Sequence, residues 1–283
     1  MIRLRAAFLG AALLALPPAA PAQQRPLQTD DAELLPVGRV RSGLGFELLQ
    51  NRRYSPSGLE GDLARIGVAN LQVGVGEYAE FQLSGVIRDY LSVKRRSAAV
   101  IPPTFSGNST SDFGDLVLAT KLRLATEKGS RPALAFKFAV ELPNASNESG
   151  LGNDVTNFFA GMLLAKRVGR ARLLGNFGLA ILGSPVTANS QSDMFTYGAA
   201  AVVPVHNRVS LVADVSGREG TRRIGNEPRG QARFGARIRA AGLLWDVAAL
   251  AGLHRFDARS GVALGVTYEL QAFHKTRTVK TVK

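Results

Sequence analysis

Apolar and polar residues alternate in twelve stretches of this chain, each roughly ten residues long, the length of a strand that crosses a membrane. The clearest stretch, residues 133–142, reads ALAFKFAVEL, so one face carries Leu, Phe, Phe, Val and Leu. Successive side chains of a strand point to opposite faces. The pattern predicts an all-β protein, a single antiparallel transmembrane β-barrel of twelve strands with apolar side chains toward lipid.

The links between the predicted strands alternate in length. The strands cover residues 39–49, 62–75, 79–91, 115–125, 133–142, 155–166, 171–182, 193–203, 208–216, 231–240, 243–253 and 261–271. The long links are 50–61, 92–114, 143–154, 183–192, 217–230 and 254–260, and the short ones are 76–78, 126–132, 167–170, 204–207 and 241–242. In bacterial outer-membrane barrels the short turns are periplasmic and the long loops extracellular. We therefore expect both chain ends on the periplasmic side.

One strand breaks the alternation. Ile66 and Val68 fall on the opposite face from Leu71 and Val73, so we expect a β-bulge near Ala69–Asn70 to bring them together.

A secreted β-sandwich is the alternative, since its strands also alternate. Soluble strands average about five or six residues, roughly half the length seen here. A sandwich also gives no reason for long and short links to alternate. We therefore favour the membrane barrel.

The two ends of the chain differ from the barrel region. Residues 1–22 carry Arg3 and Arg5, an apolar run and the Ala20–Ala22 site, which is typical of a secretory signal peptide. The expected domains are this signal peptide, a periplasmic or lumen segment at 23–38, the barrel at 39–271 and a basic tail at 272–283. The expected location is the bacterial outer membrane.

Composition excludes several classes of chemistry. The chain has no Cys, which removes disulfides and thiol catalysis, and its three histidines, His206, His254 and His274, are far apart in sequence. We expect no enzyme activity, no cofactor and no metal site. The net charge is +13, but the cations are spread along the chain without an aromatic-interleaved basic patch, so we expect no nucleic-acid partner.

Cations recur on the face that we assign to the lumen. The candidate solute-facing residues are Arg41, Lys121, Arg123, Lys137, Arg233, Arg237 and Arg239. Rings of Arg and Lys favour anions, and Arg233, Arg237 and Arg239 share one face of one strand. The same residues could instead form arginine–carboxylate ladders that brace a closed lumen. Asp30 and Asp31 could likewise contact lumen arginines, although a simple N-terminal turn is the plainer expectation.

Several short motifs resemble a known family. They are RPLQTDDA at 25–32 with Gly38 following, GDL at 114–116, PALA at 132–135 and ELP at 141–143. Together they resemble the outer-membrane β-barrel family labelled "meta-pathway of phenol degradation", whose members are described as transporters. The resemblance implies passive uptake of small, often aromatic or apolar compounds. It carries no site residues over to this chain.

The last strand contains a second resemblance. GVTYEL at 265–270 is similar to the C-terminal signal that barrel-assembly machinery reads, although here a basic tail follows it. The expected partners are therefore outer-membrane lipid and lipopolysaccharide, the barrel-assembly machinery and a small-molecule solute.

The sequence predicts a channel or facilitator for passive uptake of small solutes. The alternatives are an anion-preferring porin for acidic oligosaccharides and a non-transporting structural or adhesive barrel.

Overall fold

The computed structural model describes residues 25–273, so the predicted signal peptide and residues 274–283 of the tail lie outside the described residues. The strands are β1 (Arg39–Tyr54), β2 (Leu59–Gly74), β3 (Ala79–Arg96), β4 (Ser109–Asp112), β5 (Leu116–Ala125), β6 (Ala133–Leu142), β7 (Asn157–Val168), β8 (Ala171–Gly183), β9 (Gln191–His206), β10 (Val209–Glu219), β11 (Arg229–Ala240), β12 (Leu243–Gly252) and β13 (Ser260–Gln271). Between residues 25 and 273 there is no helix long and apolar enough to cross a membrane.

Twelve of these strands close into an antiparallel barrel. Each pairs with its neighbour in the chain, except that β3 pairs with β5, and β1 pairs with β13 from Arg39↔Gln271 to Gln50↔Ser260. The ends of the wall also meet, because the Gly38 carbonyl accepts hydrogen bonds from the amides of Ala272 (2.8 Å) and Phe273 (3.3 Å). The predicted twelve-stranded all-β barrel is confirmed.

The two faces of the wall differ as a membrane barrel requires. In β11, Phe234 and Ile238 are 62% and 41% exposed on the outside, whereas Arg233 and Arg237 are buried on the inside. Leu264 in β13 and Leu118 in β5 are likewise exposed on the outer face. The large apolar side chains therefore face outward, which is the reverse of a soluble sandwich.

The first link is not the long loop 50–61 that the sequence predicted. β1 runs to Tyr54 and β2 begins at Leu59, so only four residues, 55–58, join them. A register shift between Leu49 and Arg52 accommodates the extra length. Outside the hydrocarbon a strand no longer needs an apolar face, so the alternation stops before the strand does.

The bulge in β2 lies at Gly67, two residues before the predicted position. Ile66 pairs with Phe46 and Val68 with Gly45, which leaves Gly67 unpaired with a φ of 69°. Glycine adopts this conformation without the cost that a Cβ imposes. The shift in parity turns Arg65 toward the lumen, where it pairs with Glu47, although it was not among the candidate solute-facing residues.

The contact between β3 and β5 is short. It comprises six residue pairs, from Ala79↔Leu122 to Ser84↔Val117. Beyond it, β4, which the sequence did not predict, pairs with Asp89–Ser92 of β3. A loop strand therefore covers the extracellular part of the wall where β5 is missing.

Candidate functional site

The N-terminal residues occupy the periplasmic half of the lumen. We call residues 25–35 the plug segment. Its Leu27, Ala32 and Leu34 are buried among inward-facing side chains of β6 to β10, namely Ala133, Ala135, Leu163, Ala165, Leu174, Ala200, Val202 and Val212. Small residues on the wall leave room for the segment. Of the two positions expected for residues 23–38, outside the wall or in the lumen, the described part takes the second.

Buried ion pairs hold the plug segment to the wall. Asp31 forms two bonds with Arg172, its Oδ1 accepting from Nη2 at 2.6 Å. Asp30 Oδ2 lies 2.6 Å from Lys137 Nζ, and Arg25 lies 3.5 Å from Asp246. The acidic residues therefore contact lumen cations, and the plainer expectation of a free N-terminal turn is wrong.

The wall also supplies hydrogen-bond partners for the backbone of the plug segment. The amides of Gln28 and Thr29 donate to Asp214 Oδ2 at 3.1 and 2.8 Å, and the Leu35 amide donates to Glu80 Oε2 at 2.6 Å. Lys121 Nζ donates to the carbonyls of Asp31 and Glu33. Buried backbone groups without partners are costly, so these contacts let an irregular segment lie inside a barrel.

Above the plug segment lies a chamber of about 760 Å³. Arg25, Leu27, Gln28 and Asp30 form its floor. The residues that line it include glycines, whose backbone borders the space: Gly85, Gly161, Gly217, Gly230 and Gly252. At Gly217 and Gly230 a Cβ would come within 2.8 Å of the Tyr197 hydroxyl. Glycine at these two positions therefore leaves room for the Tyr197 side chain.

Three extracellular loops meet above the chamber. The Gly225 amide, between β10 and β11, donates to Ser55 Oγ at 2.9 Å. Ser57 Oγ, in the same β1–β2 link as Ser55, donates to the Gly150 carbonyl at 2.7 Å. Asn153 Nδ2, in the β6–β7 loop, donates to the Gly225 carbonyl at 3.3 Å. These contacts fold the loops inward over the mouth.

The chamber contains two groups of charges. In the lower one Glu47 lies between Arg233 (3.1 Å) and Arg65 (3.3 Å), and Arg65 also binds Asp89 (3.2 Å). This is a ladder of alternating charge. The upper group consists of Arg52, Arg218 and Arg229 near Asp257 and Glu227.

The seven candidate solute-facing residues have different surroundings. Arg41 binds Glu269 and Gln72, in the ladder arrangement that the sequence left open. Lys121 and Lys137 bind the plug segment as described above. Arg233 and Arg237 donate to the carbonyls of Pro26 (3.1 Å) and Arg25 (2.7 Å).

The other two candidates do not belong to this group. Arg123 is half-buried near the periplasmic end of β5. Arg239 is exposed next to the β11–β12 turn. The expected cluster of Arg233, Arg237 and Arg239 is therefore corrected, because Arg239 is exposed at the periplasmic end of β11 while the plug segment covers the other two.

Sequence reasoning missed Arg52, Arg218 and Arg229. All three fell in predicted loops or at loop margins, where the alternation does not assign a side chain to the lumen face or the lipid face. They lie instead in the extracellular ends of β1, β10 and β11 and line the chamber. Arg88 lies outside the barrel beside Phe113 and donates to Ser111 Oγ.

The described part of the chain contains no group of three or more His, Cys, Asp or Glu side chains that could hold a metal ion. His254 Nε2 lies 2.7 Å from Glu219 Oε1 at an extracellular loop, and His206 is exposed at a periplasmic turn. His274 lies outside the described residues.

One titratable group stands out among the loops. Burial raises the pKa of Asp115 to about 6, against hydrogen bonds from the Ala145 amide (3.0 Å) and the Asn144 amide (3.1 Å). Asp115 precedes β5, so it fastens the β6–β7 loop to the rim.

Comparison with known proteins gives a likeness in structure only. No protein-family model matches the sequence, and no curated protein matches it. An outer-membrane channel from Pseudomonas putida F1 superposes with a TM-score of 0.57 and 15% identity, over 85% of this chain and 98% of its own.

Two other solved structures are less similar. The translocator domain of the autotransporter NalP from Neisseria meningitidis has a TM-score of 0.47 and 14% identity, over 83% of this chain and 89% of its own. The NanC porin has a TM-score of 0.49 and 7% identity, over 82% of this chain and 100% of its own. With its outward apolar face and closed twelve-stranded wall, this chain has the fold of an outer-membrane β-barrel, consistent with the bacterial outer membrane.

Proposed function

We propose that this protein is an outer-membrane channel for passive uptake of small solutes. The observation that carries the proposal is the chamber of about 760 Å³ between the plug segment and the converging loops. Pockets that bind small molecules typically enclose about 300–1,000 Å³. The similarity to the Pseudomonas putida channel supports the same conclusion at the level of the fold.

The inner wall supports transport over a purely structural role. An eight-stranded barrel is just wide enough to be filled by its own side chains, and a twelve-stranded barrel is wider. Here small residues face the extra space, and an N-terminal segment occupies part of it. A segment held by side-chain contacts can be displaced without unfolding the wall.

The finer proposal concerns the solute. Leu49, Tyr54 and Leu63 of β1 and β2 offer an apolar surface to the chamber, and Phe159 of β7 lines it from another part of the wall. Together with the motifs that resemble the phenol-degradation family, this surface favours small aromatic or apolar compounds. We propose outer-membrane lipid, lipopolysaccharide and the barrel-assembly machinery as the protein's other partners.

Removal of the plug segment tests the channel directly. The mature protein and a variant lacking residues 25–35 are reconstituted in planar bilayers and in liposomes for swelling assays. We expect measurable solute uptake with the full protein and a several-fold larger conductance with the deletion, because the segment occupies the narrow periplasmic half.

The deletion needs a matched control. Replacing exposed Arg239 by Gln should leave conductance unchanged, since this residue does not contact the plug segment. If neither the full protein nor the deletion passes ions or solutes, the non-transporting barrel is the correct function, because the three-loop contact would then close the lumen even without the plug segment.

A further inference from the structure

The upper charge group in the chamber has the features of an anion site. Arg52 comes from the end of β1, Arg218 from the end of β10 and Arg229 from the start of β11. All three line the chamber, and they are close enough for the positive charges of Arg52 and Arg218 to act on Arg229. Three cations converge there from three different strands, although like charges repel.

The neighbouring carboxylates are already engaged elsewhere. Asp257 Oδ2 accepts the amides of Gly230 (2.8 Å) and His254 (3.0 Å), and its other oxygen is 3.8 Å from Arg52. Glu227 Oε1 accepts the Gly225 amide at 3.0 Å, and its Oε2 is 3.8 Å from Arg229. Both arginine contacts are longer than hydrogen bonds.

A third carboxylate also acts on the group. Glu141 on β6 attracts Arg218, but it accepts a hydrogen bond of 2.6 Å from Asn157 Nδ2. None of these acids forms a bidentate pair with an arginine of the group.

The guanidinium groups consequently keep donors available. Arg218 Nε donates to the Glu227 carbonyl at 3.2 Å, and Arg229 Nη1 donates to the Phe256 carbonyl at 3.0 Å. Within residues 25–273 their other nitrogens, and those of Arg52, donate no hydrogen bond to a protein atom. A guanidinium has five donors in a fixed fork that matches a carboxylate.

We propose that Arg52, Arg218 and Arg229 bind the carboxylate of a small organic acid, whose apolar body lies against the chamber wall formed by Leu49, Tyr54 and Leu63. This inference rests on the proposed channel and deepens it by naming the solute class. Tyr54 lies next to the arginines, with Arg52 5.8 Å from its ring centroid. Leu63 is buried in the same apolar cluster that Leu49 and Tyr54 pack against.

The geometry sets the size of the acid. Arg218 and Arg229 line the chamber of about 760 Å³, and this volume limits the size of an acid that can reach their guanidinium groups. The sequence-derived alternative of a porin for acidic oligosaccharides requires a continuous wide lumen. The plug segment and the ladder around Glu47 interrupt that path, so a compact monocarboxylate suits the chamber better.

Benzoate, with neutral benzamide as its isostere, is the probe. Binding to the mature protein in detergent micelles is measured by isothermal titration calorimetry for the wild type, R218Q/R229Q, R52Q and the control R239Q. We expect benzoate affinity to fall roughly tenfold or more in the double variant, since a hydrogen bond to a charged group contributes about 1.5–3 kcal/mol. R52Q should give a smaller loss, and R239Q none.

The outcomes separate this site from the proposed channel. Equal affinity for benzoate and benzamide, or wild-type benzoate affinity in R218Q/R229Q and R52Q, overturns the carboxylate site. Liposome swelling with a neutral solute then tests the channel alone. Swelling without arginine-dependent binding would support the channel and overturn the carboxylate site. Arginine-dependent binding without swelling would support the carboxylate site and overturn the channel. R52Q keeps the test valid if the double variant fails to fold.

Discussion

A few buried side chains determine how firmly the lumen is obstructed. Asp31 and Arg172 are both buried and face each other across the contact between plug segment and wall. Removing one partner of a buried pair is costly because the other charge is left without compensation. The same pair is therefore a direct way to loosen the segment without touching the barrel.

Asp31→Asn should release the plug segment more often. Breaking a buried pair costs about 3 kcal/mol, which corresponds to roughly a hundredfold change in an equilibrium. Thr29 is 1% exposed and the chain has no cysteine, so Thr29→Cys provides a unique probe. We expect maleimide to label this thiol up to about a hundredfold faster when Asp31→Asn is also present.

Asp62→Asn is the matched control for that experiment. Asp62 pairs with Lys94 at an exposed site on β2 and β3, away from the plug segment. Equal labelling rates with and without Asp31→Asn would mean that the ion pair does not hold the segment in the lumen.

Strands and loops show which parts of the architecture the alternation can reveal. The alternation of apolar and polar residues predicted the number and order of the barrel strands, because lipid imposes an apolar residue at every second position. It failed at Tyr54, Leu59 and Arg96, where strands continue into water and no such rule applies. It also missed β4, whose sequence STSD carries no apolar face.

The candidate site was less accessible to sequence reasoning. Parity correctly put Arg233 and Arg237 inside, but it could not show that residues 25–35 would cover them. Simple alternation puts Arg65 on the lipid face with Leu71, and only the bulge between them turns Arg65 toward the lumen. Arg218 and Arg229 are eleven residues apart in the chain and become neighbours only through the pairing Arg218↔Arg229 of β10 and β11.

The β6–β7 loop should respond to pH through Asp115. Its pKa in the folded protein is about 6, above the ordinary value of 3.8, so the protonated form is favoured by folding. The resulting stability is complete below about pH 4 and is lost as the pH rises through 6. We expect the Asn144 and Ala145 amides to lose hydrogen-exchange protection between pH 5 and 7, after correction for intrinsic exchange.

Asp115→Asn isolates this effect, since its amide oxygen can still accept both hydrogen bonds but does not titrate. Protection in the variant should not change over the same pH range. A carbon-13 titration that places the Asp115 carboxyl near pH 4 would contradict the prediction.

The stability of the whole barrel in a membrane depends on the contrast between its apolar outer face and its charged inner face. The outer face is apolar around the wall, including Phe81, Phe138, Leu179, Phe234 and Leu264. Within the described residues the charges of the strands concentrate on the inner face and toward the rims. Because of this arrangement, the free-energy cost of adding a charge to the outer face depends on the position of the residue along the strand.

Phe234→Arg places a cation on the outer face near the middle of β11. A charge at the bilayer midplane of a β-barrel costs about 2–4 kcal/mol. We expect the free energy of unfolding, measured by denaturant titration in lipid bilayers, to fall by about that amount. Ile224→Arg is the control, because Ile224 is similarly exposed but lies in the β10–β11 loop, and its effect should be below about 1 kcal/mol.

The short contact between β3 and β5 is the part of the wall where neighbouring strands should separate most easily. Six residue pairs join these strands, whereas β7 and β8 are joined by twelve. Bilayer tension or thermal breathing should therefore separate β3 from β5 before any other neighbours. An apolar hollow of about 400 Å³, lined by Phe81, Leu83 and Leu118, already lies on the lipid side of this contact.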